Sequence, residues 1–361
     1  MPAVTPHPGM LRIRPHMIVA EEGDGTHVQI NIASNESAYG PSPAAISAGA
    51  RAMQRIERYS ETAATVLANA IADHFGLNRD GVICGFGSDD LLARSARVYL
   101  SAGDELIYTA NGYQKIPNYA YANGANAIAA PDNNFRADVD SILNCVTERT
   151  RMVMIANPDN PTGSYLSGEE IRRLHAGLPE NVLLVLDSAY LEYVEADDYE
   201  NPVALVEEMH NVIMTRTFSK IYGLAGMRLG WVYAPAAIAD MLGRVGITFP
   251  VSGPAFSSGL AALQDTDHTA HVYAESVKVR RWFGDALAEN GVIVHPTQTN
   301  FVLATFPDPD RSAQMAYDYL VENGIAARRL TTPNFSDCVR YTIGFDHEMS
   351  RTADVMRDFF R

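Results

Sequence analysis

The chain has 361 residues, enough for two domains at about 150 residues per domain. Apolar residues make up 47% of the sequence and charged residues 20%, so a large core is available and intrinsic disorder is excluded. The net charge of −15 argues against a nucleic-acid or anionic-membrane partner, so any anionic ligand must be held by a few well-placed arginines.

Three scattered cysteines, Cys84, Cys145 and Cys338, argue against a disulfide framework and a zinc site, and they fit a reducing compartment. The histidines show no metal-binding spacing, so we expect no metal site. No apolar run has the length of a signal peptide or approaches the ~18 residues of a membrane span. We therefore expect a soluble, cytoplasmic protein.

Short β-branched runs alternate with helical patterns from residue 80 to 235, which predicts a mainly parallel sheet with helices on both faces. The predicted strands are Val82–Gly85, Glu105–Thr109, Met152–Ala156, Val182–Asp187, Val212–Thr217 and Leu229–Tyr233. Helices are predicted at Asp89–Leu100 and Glu169–Leu178, and a capping box at Ser167 and Glu170 begins the second. Ligands of such sheets bind beyond the carboxyl ends of the strands.

After Pro250 the pattern predicts a smaller α+β domain, in which helices are grouped beside the strands. The predicted elements are helices at Ser258–Gln264, His268–Asn290 and Ser312–Asn323, strands at Asn300–Phe306 and Cys338–Gly344, and a closing helix through Arg361. The first 35 residues are proline-rich and aperiodic. We expect an N-terminal arm with part of the small domain at 1–35, a large domain at 36–250 and the small C-terminal domain at 251–361.

Two predicted strands end in residues that are able to carry chemistry. Asp187 closes an all-apolar strand, where burial costs free energy unless a cation is close, although a helix cap is an equal alternative. Lys220 follows the strand Val212–Thr217 and precedes a glycine-rich segment that contains Arg228. The other two lysines are Lys115, after a loop tyrosine, and Lys278, within a helix. A solvated loop residue is the alternative interpretation of Lys220.

Two further loops follow predicted strands. Asn157–Gly163 contains two X-Pro steps and a terminal glycine, which predict a rigid turn that presents Asn160. Gly85–Asp90 lies before a helix whose N–H groups are able to receive phosphate, although Ser88 as a simple N-cap stays open. Together these residues suit pyridoxal phosphate, which needs a lysine Schiff base, a carboxylate at its pyridinium nitrogen, donors to its phenolate oxygen and a phosphate site.

Three motifs resemble those of the class I/II aminotransferases of pyridoxal-phosphate fold type I. They are Asn157-Pro-Asp-Asn-Pro-Thr-Gly163, Asp187-Ser-Ala-Tyr190, and Ser219-Lys220 followed by Leu-Ala-Gly-Met-Arg228-x-Gly-Trp. The resemblance implies an α/β fold whose large domain has a mainly parallel seven-stranded sheet covered by helices, with a smaller α+β C-terminal domain. Arg58-Tyr59, Gly-Phe-Gly-Ser-Asp-Asp and Gly324–Arg328 are similar to the histidinol-phosphate aminotransferase branch.

The resemblance implies three catalytic residues. Lys220 forms the Schiff base and moves the proton, Asp187 pairs with the pyridinium nitrogen, and Tyr190 binds the phenolate oxygen together with Asn160. Tyr113 is expected to stack on the cofactor ring. The remaining implied cofactor contacts are Gly87, Ser88, Asp89, Thr217, Ser219, Arg228 and Tyr59 of the partner subunit. That last contact implies a homodimer with shared active sites.

The resemblance also implies how substrates bind. Arg340 is expected to hold the α-carboxylate and Arg328 a distal anion, with Asn160 and Tyr39 as further substrate contacts. Arg329 adjoins Arg328, so which of the two arginines points inward is left open. One arginine suffices for both substrates of a ping-pong enzyme, because histidinol phosphate and glutamate each carry a distal anion.

The implied activity is ping-pong transamination between histidinol phosphate and 2-oxoglutarate. An aromatic amino acid aminotransferase is one alternative, and a pyridoxal-phosphate-dependent decarboxylase or lyase such as a threonine-phosphate decarboxylase is another. A non-catalytic effector-binding module of the same fold is a third, against which the acidic charge and the absence of a DNA-binding segment argue.

Overall fold

The computed structural model describes residues 4–13, 28–60, 62–330 and 332–361, so the predicted N-terminal arm lies partly outside the described residues. The strands in the described ranges are β1 (Ile30–Asn31), β2 (Val82–Gly85), β3 (Glu105–Thr109), β4 (Asn126–Ala130), β5 (Asp132–Asn133), β6 (Arg136–Ala137), β7 (Thr150–Ala156), β8 (Leu183–Asp187), β9 (Val212–Thr217), β10 (Gly230–Tyr233), β11 (Ile293–Val294), β12 (Phe301–Thr305), β13 (Ile325–Ala326), β14 (Arg328–Arg329) and β15 (Cys338–Thr342).

The α-helices of the same ranges are α1 (Pro43–Ala52), α2 (Ala63–Phe75), α3 (Ser88–Tyr99), α4 (Ile116–Ala122), α5 (Val139–Asn144), α6 (Gly168–Gly177), α7 (Val203–Glu208), α8 (Ala236–Arg244), α9 (Gly253–Gln264), α10 (Thr266–Ala288), α11 (Ala313–Glu322) and α12 (Asp346–Phe360). The capping box predicted for α6 is confirmed, because Ser167 and Glu170 exchange side-chain and backbone hydrogen bonds. Among the described residues, no helix is long and apolar enough to cross a membrane.

The large sheet has seven strands in the order β2-β10-β9-β8-β7-β3-β4. Strand β10 runs antiparallel to both of its neighbours, and the other pairings are parallel. The predicted α/β fold with a mainly parallel seven-stranded sheet is therefore confirmed. The sequence patterns identify six of these strands and miss the edge strand β4.

Helices cover both faces of the large sheet, and this explains why its central strands are apolar throughout. Along β7, Val153 and Ile155 belong to one buried hydrophobic cluster, whereas Met152 and Met154 belong to the cluster on the opposite face. Successive side chains of a strand point to opposite faces, so a sheet buried on both sides needs no polar alternation. Its polar side chains collect where the strands end.

A second core surrounds a four-stranded antiparallel sheet of order β11-β12-β15-β14. The long helix α10 joins the two cores, because Val272 packs in the large one and Phe283 in the second. Ile30 of β1 pairs in parallel with Ile325 of β13, and Ile30 packs against the second core. A segment before residue 35 therefore belongs structurally with the second core. The domain bounds at residues 35 and 250 stay a prediction.

Candidate active site

A cavity of about 430 Å³ opens at the carboxyl ends of the parallel strands. Ten of the residues singled out by the sequence line it: Ser88, Asp89, Tyr113, Asn160, Asp187, Tyr190, Thr217, Ser219, Lys220 and Arg228. Strands β7, β8 and β9 each end at this cavity, so residues far apart in the chain meet there. The structure therefore brings most of the predicted site together.

Lys220 extends into the cavity and its amine is held by the backbone. The Nζ atom donates a hydrogen bond of 2.9 Å to the carbonyl oxygen of Asn35. Burial, followed by the charge of Arg340, lowers the pKa of Lys220 to about 8. A substantial neutral fraction near physiological pH makes this amine a competent nucleophile. The solvated-loop alternative for Lys220 does not describe this structure.

Asp187 lies at the end of β8 with only 6% of its surface exposed. Its Oδ1 atom accepts a hydrogen bond of 2.9 Å from the hydroxyl of Thr215 on the neighbouring strand. Burial raises the pKa of Asp187 to about 6, against the opposing influences of Thr215 and Lys220. A buried carboxylate in this setting is poised to pair with a cationic ligand group, and it caps no helix of the described chain.

An anion site is built where α3 begins. Gly87 is the N-cap of this helix, with φ of 82°, and a Cβ atom there would lie 2.6 Å from Nη2 of Arg228. Glycine is therefore required for the guanidinium to approach the helix N-terminus. Arg228 also donates a hydrogen bond of 3.4 Å to Ser219. The N–H groups of the first turn of α3 and the guanidinium of Arg228 lie close together, and both kinds of group bind phosphate. Ser88 is the first helical residue and not the N-cap.

Tyr190 and Asn160 face the cavity and are connected to the second core. The hydroxyl of Tyr190 accepts a hydrogen bond of 2.9 Å from the side-chain amide of Asn35. Burial raises the pKa of Tyr190 to about 12, although Arg340 and Asn35 oppose this shift. The Oδ1 atom of Asn160 accepts a hydrogen bond of 2.7 Å from Nη1 of Arg340. Arg340 thus reaches the cavity edge through Asn160.

The structure distinguishes between the two adjacent arginines of β14. Arg328 lies directly opposite Arg340 on β15, and directly opposed residues share one face of a sheet. Arg329 points elsewhere, because its Nη1 atom donates to the backbone carbonyls of Leu330, Phe335 and Cys338. Burial lowers the pKa of Arg340 to about 10, and the charge of Arg328 acts in the same direction. Arg328 and Arg340 therefore lie on one face of this sheet, and among the described residues neither forms an ion pair with a carboxylate.

Comparison with known proteins assigns the family. The sequence profile of "Aminotransferase class I and II" matches residues 27–354. The chain belongs to this aminotransferase family. A histidinol-phosphate aminotransferase of Rhodospirillum centenum is 44% identical over 356 residues, covering 99% of this chain and 98% of its own. Another, from Nitrobacter winogradskyi, is 42% identical over 356 residues, with 98% of both chains covered.

Solved structures agree with this assignment. The histidinol-phosphate aminotransferase of Sinorhizobium meliloti, in complex with pyridoxal-5'-phosphate, superposes with a TM-score of 0.87 and 30% identity, covering 93% of this chain and 92% of its own. Aspartate aminotransferase of Thermus thermophilus with maleate shares the fold at a TM-score of 0.79 and 18% identity, with 93% and 92% covered.

Five predicted site residues do not line the cavity of this aminotransferase: Gly87 at the start of α3, Arg328 and Arg340 on the second sheet, and Tyr39 and Tyr59. The ring of Tyr59 is 77% exposed and stacks on Phe249 with ring centroids 4.4 Å apart. Tyr39 instead contacts His271 and Phe345, with centroid distances of 5.4 and 5.0 Å. The described chain therefore does not bring Tyr39 or Tyr59 into its own cavity, and their roles stay predictions.

The structure also adds residues that sequence reasoning did not assign to the site of the aminotransferase. Ser34 and Glu36 line the cavity, and Asn35 between them contacts both Lys220 and Tyr190. The only sequence signal for them is that the family resemblance begins at Asn35-Glu36. Ala156, Ala189, Ala225 and Gly226 complete the lining, and their small side chains leave the space open.

Proposed function

We propose that this aminotransferase uses pyridoxal phosphate to transfer an amino group between histidinol phosphate and 2-oxoglutarate. The observation that carries the proposal is the pair Arg328 and Arg340, two guanidinium groups on one face of the second sheet, with Arg340 at the edge of the cavity that contains Lys220. The full-length relatives named histidinol-phosphate aminotransferase support the choice of substrate.

The residues of the cavity fit pyridoxal phosphate. Lys220 offers an amine whose pKa is lowered to about 8, and Asp187 offers a buried carboxylate for a ring nitrogen. Gly87 leaves the start of α3 open to the guanidinium of Arg228, which makes a cradle for a phosphate group. When bound, the cofactor supplies an electron sink for the bonds of the substrate's amino-bearing carbon.

The chain's own residues then have distinct tasks in the proposed reaction. Lys220 holds the cofactor and afterwards, once released, takes a proton from the amino-bearing carbon and returns it on the cofactor side. Asp187 keeps a proton on the ring nitrogen, because a buried carboxylate is best satisfied by a charged partner. Tyr190 and Asn160 donate hydrogen bonds to the phenolate oxygen, and Tyr113 covers the ring.

The two arginines explain how one pocket accepts two substrates. Arg328 is expected to bind the phosphate of histidinol phosphate and the γ-carboxylate of glutamate in turn, since guanidinium groups bind both bidentately. Arg340 is expected to bind the α-carboxylate, a group that histidinol phosphate lacks. Arg340 is therefore used fully only by glutamate and 2-oxoglutarate.

We further propose a homodimer with shared active sites, located in the cytoplasm. Large apolar side chains are exposed at Ile46, Met53, Ile56, Tyr59, Val66, Phe86, Ile247 and Phe249, and such exposure on a protein surface favours an interface. A groove of about 410 Å³ between α1 and α9 lies on the same part of the chain. Tyr59 of the partner subunit would reach the cofactor phosphate. The three cysteines are free, which agrees with a reducing compartment.

The deciding experiment is steady-state kinetics with 2-oxoglutarate and three amino donors: histidinol phosphate, phenylalanine and tyrosine. We expect histidinol phosphate to have the largest kcat/KM. An excess for phenylalanine would replace this proposal by an aromatic aminotransferase. Formation of one equivalent of 2-oxoglutarate from glutamate alone tests the reaction class, because a decarboxylase or lyase does not complete this half-reaction.

A further inference from the structure

Asp89, in the first turn of α3, is the centre of a small hydrogen-bonded cluster. Its carboxylate accepts a hydrogen bond of 3.3 Å from the hydroxyl of Tyr113 and a second from the hydroxyl of Tyr119. The ammonium group of Lys115 forms an ion pair with the other carboxylate oxygen. The cluster joins the anion site to the loop that carries Tyr113 and to α4.

The ion pair between Lys115 and Asp89 affects the charge balance of the cavity, because Asp89 is one of its lining residues. The cavity lining includes the acidic Glu36, Asp89 and Asp187 but only Lys220 and Arg228 as basic groups. A phosphate bound at the start of α3 would lie beside the Asp89 carboxylate, and like charges at short range repel. The other carboxylate of that turn, Asp90, is already paired with Arg94 at 2.5 Å.

We propose that Lys115 is a positioning residue for the cofactor: it neutralises Asp89, which lets the start of α3 accept the phosphate. The inference rests on the proposed placement of the phosphate at α3. Lys115 itself does not line the cavity, and it touches neither Lys220 nor Arg228 in the contacts of the described residues. Its effect therefore passes through Asp89.

An ordinary surface ion pair would behave differently. The side chain of Lys115 is 42% exposed, and exposed pairs contribute little to the stability of a fold. The consequence of losing its charge should therefore appear in the binding of a phosphorylated ligand and not in the unfolding of the apoprotein. This contrast separates the proposal from a purely structural role.

The test compares apoprotein variants in equilibrium binding of pyridoxal phosphate and of pyridoxal, which lacks the phosphate. We expect Lys115→Met to raise the dissociation constant for pyridoxal phosphate about tenfold and that for pyridoxal less than threefold. Adding Asp89→Asn to the same chain should bring the dissociation constant for pyridoxal phosphate to within about threefold of that of Asp89→Asn alone, because the Lys115 charge then has no carboxylate to neutralise. Lys115→Arg should bind as the native protein does.

The matched control is Lys278→Met, which removes a lysine paired with Glu275 on the exposed face of α10 and should change neither constant. Equal weakening of both ligands by Lys115→Met, or the same loss from Lys115→Met when Asp89→Asn is already present, would overturn the proposal. Native protein that binds both ligands equally would instead refute the phosphate placement itself.

Discussion

The side-chain amide of Asn35 donates a 2.9 Å hydrogen bond to the hydroxyl of Tyr190, which lies 155 residues further along the chain. The same asparagine accepts a hydrogen bond from Thr342 of the second sheet, and its carbonyl oxygen receives the amine of Lys220. One buried residue thus links the second core, through its side chain and its backbone carbonyl, to two residues of the proposed chemistry. Its φ of 55° places it in the left-handed region.

Substitution of Asn35 should reduce activity without removing the cofactor. Asn35→Gly keeps the left-handed backbone accessible and removes the side-chain hydrogen bonds with Tyr190 and Thr342, so we expect kcat/KM to fall about 5- to 30-fold, from roughly 1–2 kcal/mol of lost hydrogen bonding. Asn35→Ala should lower the unfolding midpoint further, since alanine is strained at this φ. Native kinetics in the glycine variant would show that the bond to Tyr190 is dispensable.

Lys220→Ala should abolish transamination and the visible absorption of bound pyridoxal phosphate. The reason is that no other lysine lines the cavity in the described part of the chain. Mass spectrometry after borohydride reduction should find the cofactor on Lys220 in the native protein and no adduct in the variant. Lys278→Ala serves as the control and should keep both signals. A persistent adduct in the Lys220 variant would contradict the assignment.

Asp187→Asn should stabilise the apoprotein at neutral pH while damaging the enzyme. The native pKa of about 6 exceeds the usual value of ~3.9, so the stabilising proton is fully bound below pH ~4 and is lost as pH rises through 6. The charged carboxylate then costs up to about 3 kcal/mol at pH 7.5. Urea unfolding should show this gain in the variant at pH 7.5 and none near pH 4.

The same Asp187 variant should lose several orders of magnitude in kcat, because the ring nitrogen of the cofactor is no longer held protonated. The control is Asp197→Asn, an exposed aspartate whose change should affect neither stability nor turnover. Near-native turnover in Asp187→Asn would leave the carboxylate without its proposed role.

Arg328→Ala and Arg329→Ala should have opposite signatures. The first should lower kcat/KM for histidinol phosphate and glutamate by one to two orders of magnitude, from the loss of roughly 1.5–3 kcal/mol of charged hydrogen bonding. The second should mainly lower the unfolding midpoint, since Arg329 supports three backbone carbonyls. Arg340→Ala should penalise glutamate far more than histidinol phosphate. Equal damage to phenylalanine and histidinol phosphate from Arg328→Ala would exclude anion recognition by this residue.

The proposed dimer makes a complementation experiment possible. Mixed dimers of Lys220→Ala and Tyr59→Phe subunits contain one site with both native residues, provided that Tyr59 acts in the partner's site. We expect such mixtures to recover part of the activity that each variant alone lacks. Sedimentation of the native protein as an active monomer would contradict the shared site.

Much of the site is predictable from the sequence because apolar strands end abruptly in polar residues. Asp187 and Lys220 stand out for that reason, and the parallel order of their strands brings them together. The edge strand β4 escapes prediction, since Asn126–Ala130 is rich in alanine, a poor strand former, and is mostly half-buried.

Contacts over long chain separations are not visible in the sequence. Asn35 reaches Tyr190 through a left-handed backbone turn that no local pattern signals. Lys115 meets Asp89 only because α4 packs beside α3, and the sequence shows it merely as a lysine after a loop tyrosine. Arg328 and Arg329 point to opposite faces of a strand of only two residues. The pairing of this strand with β15 decides which arginine shares a face with Arg340, and the sequence does not show that pairing.

Helix α10 also determines how this protein unfolds, because it packs in both hydrophobic cores. Its 23 residues place Val272 in the core of the large sheet and Phe283 in the core of the second, and both side chains are fully buried. If either core unfolds, α10 loses the packing at one of its ends. The other core then loses the support of a helix that is anchored at only one end. We therefore expect the two cores to unfold cooperatively in heat or denaturant, in a single transition with one midpoint.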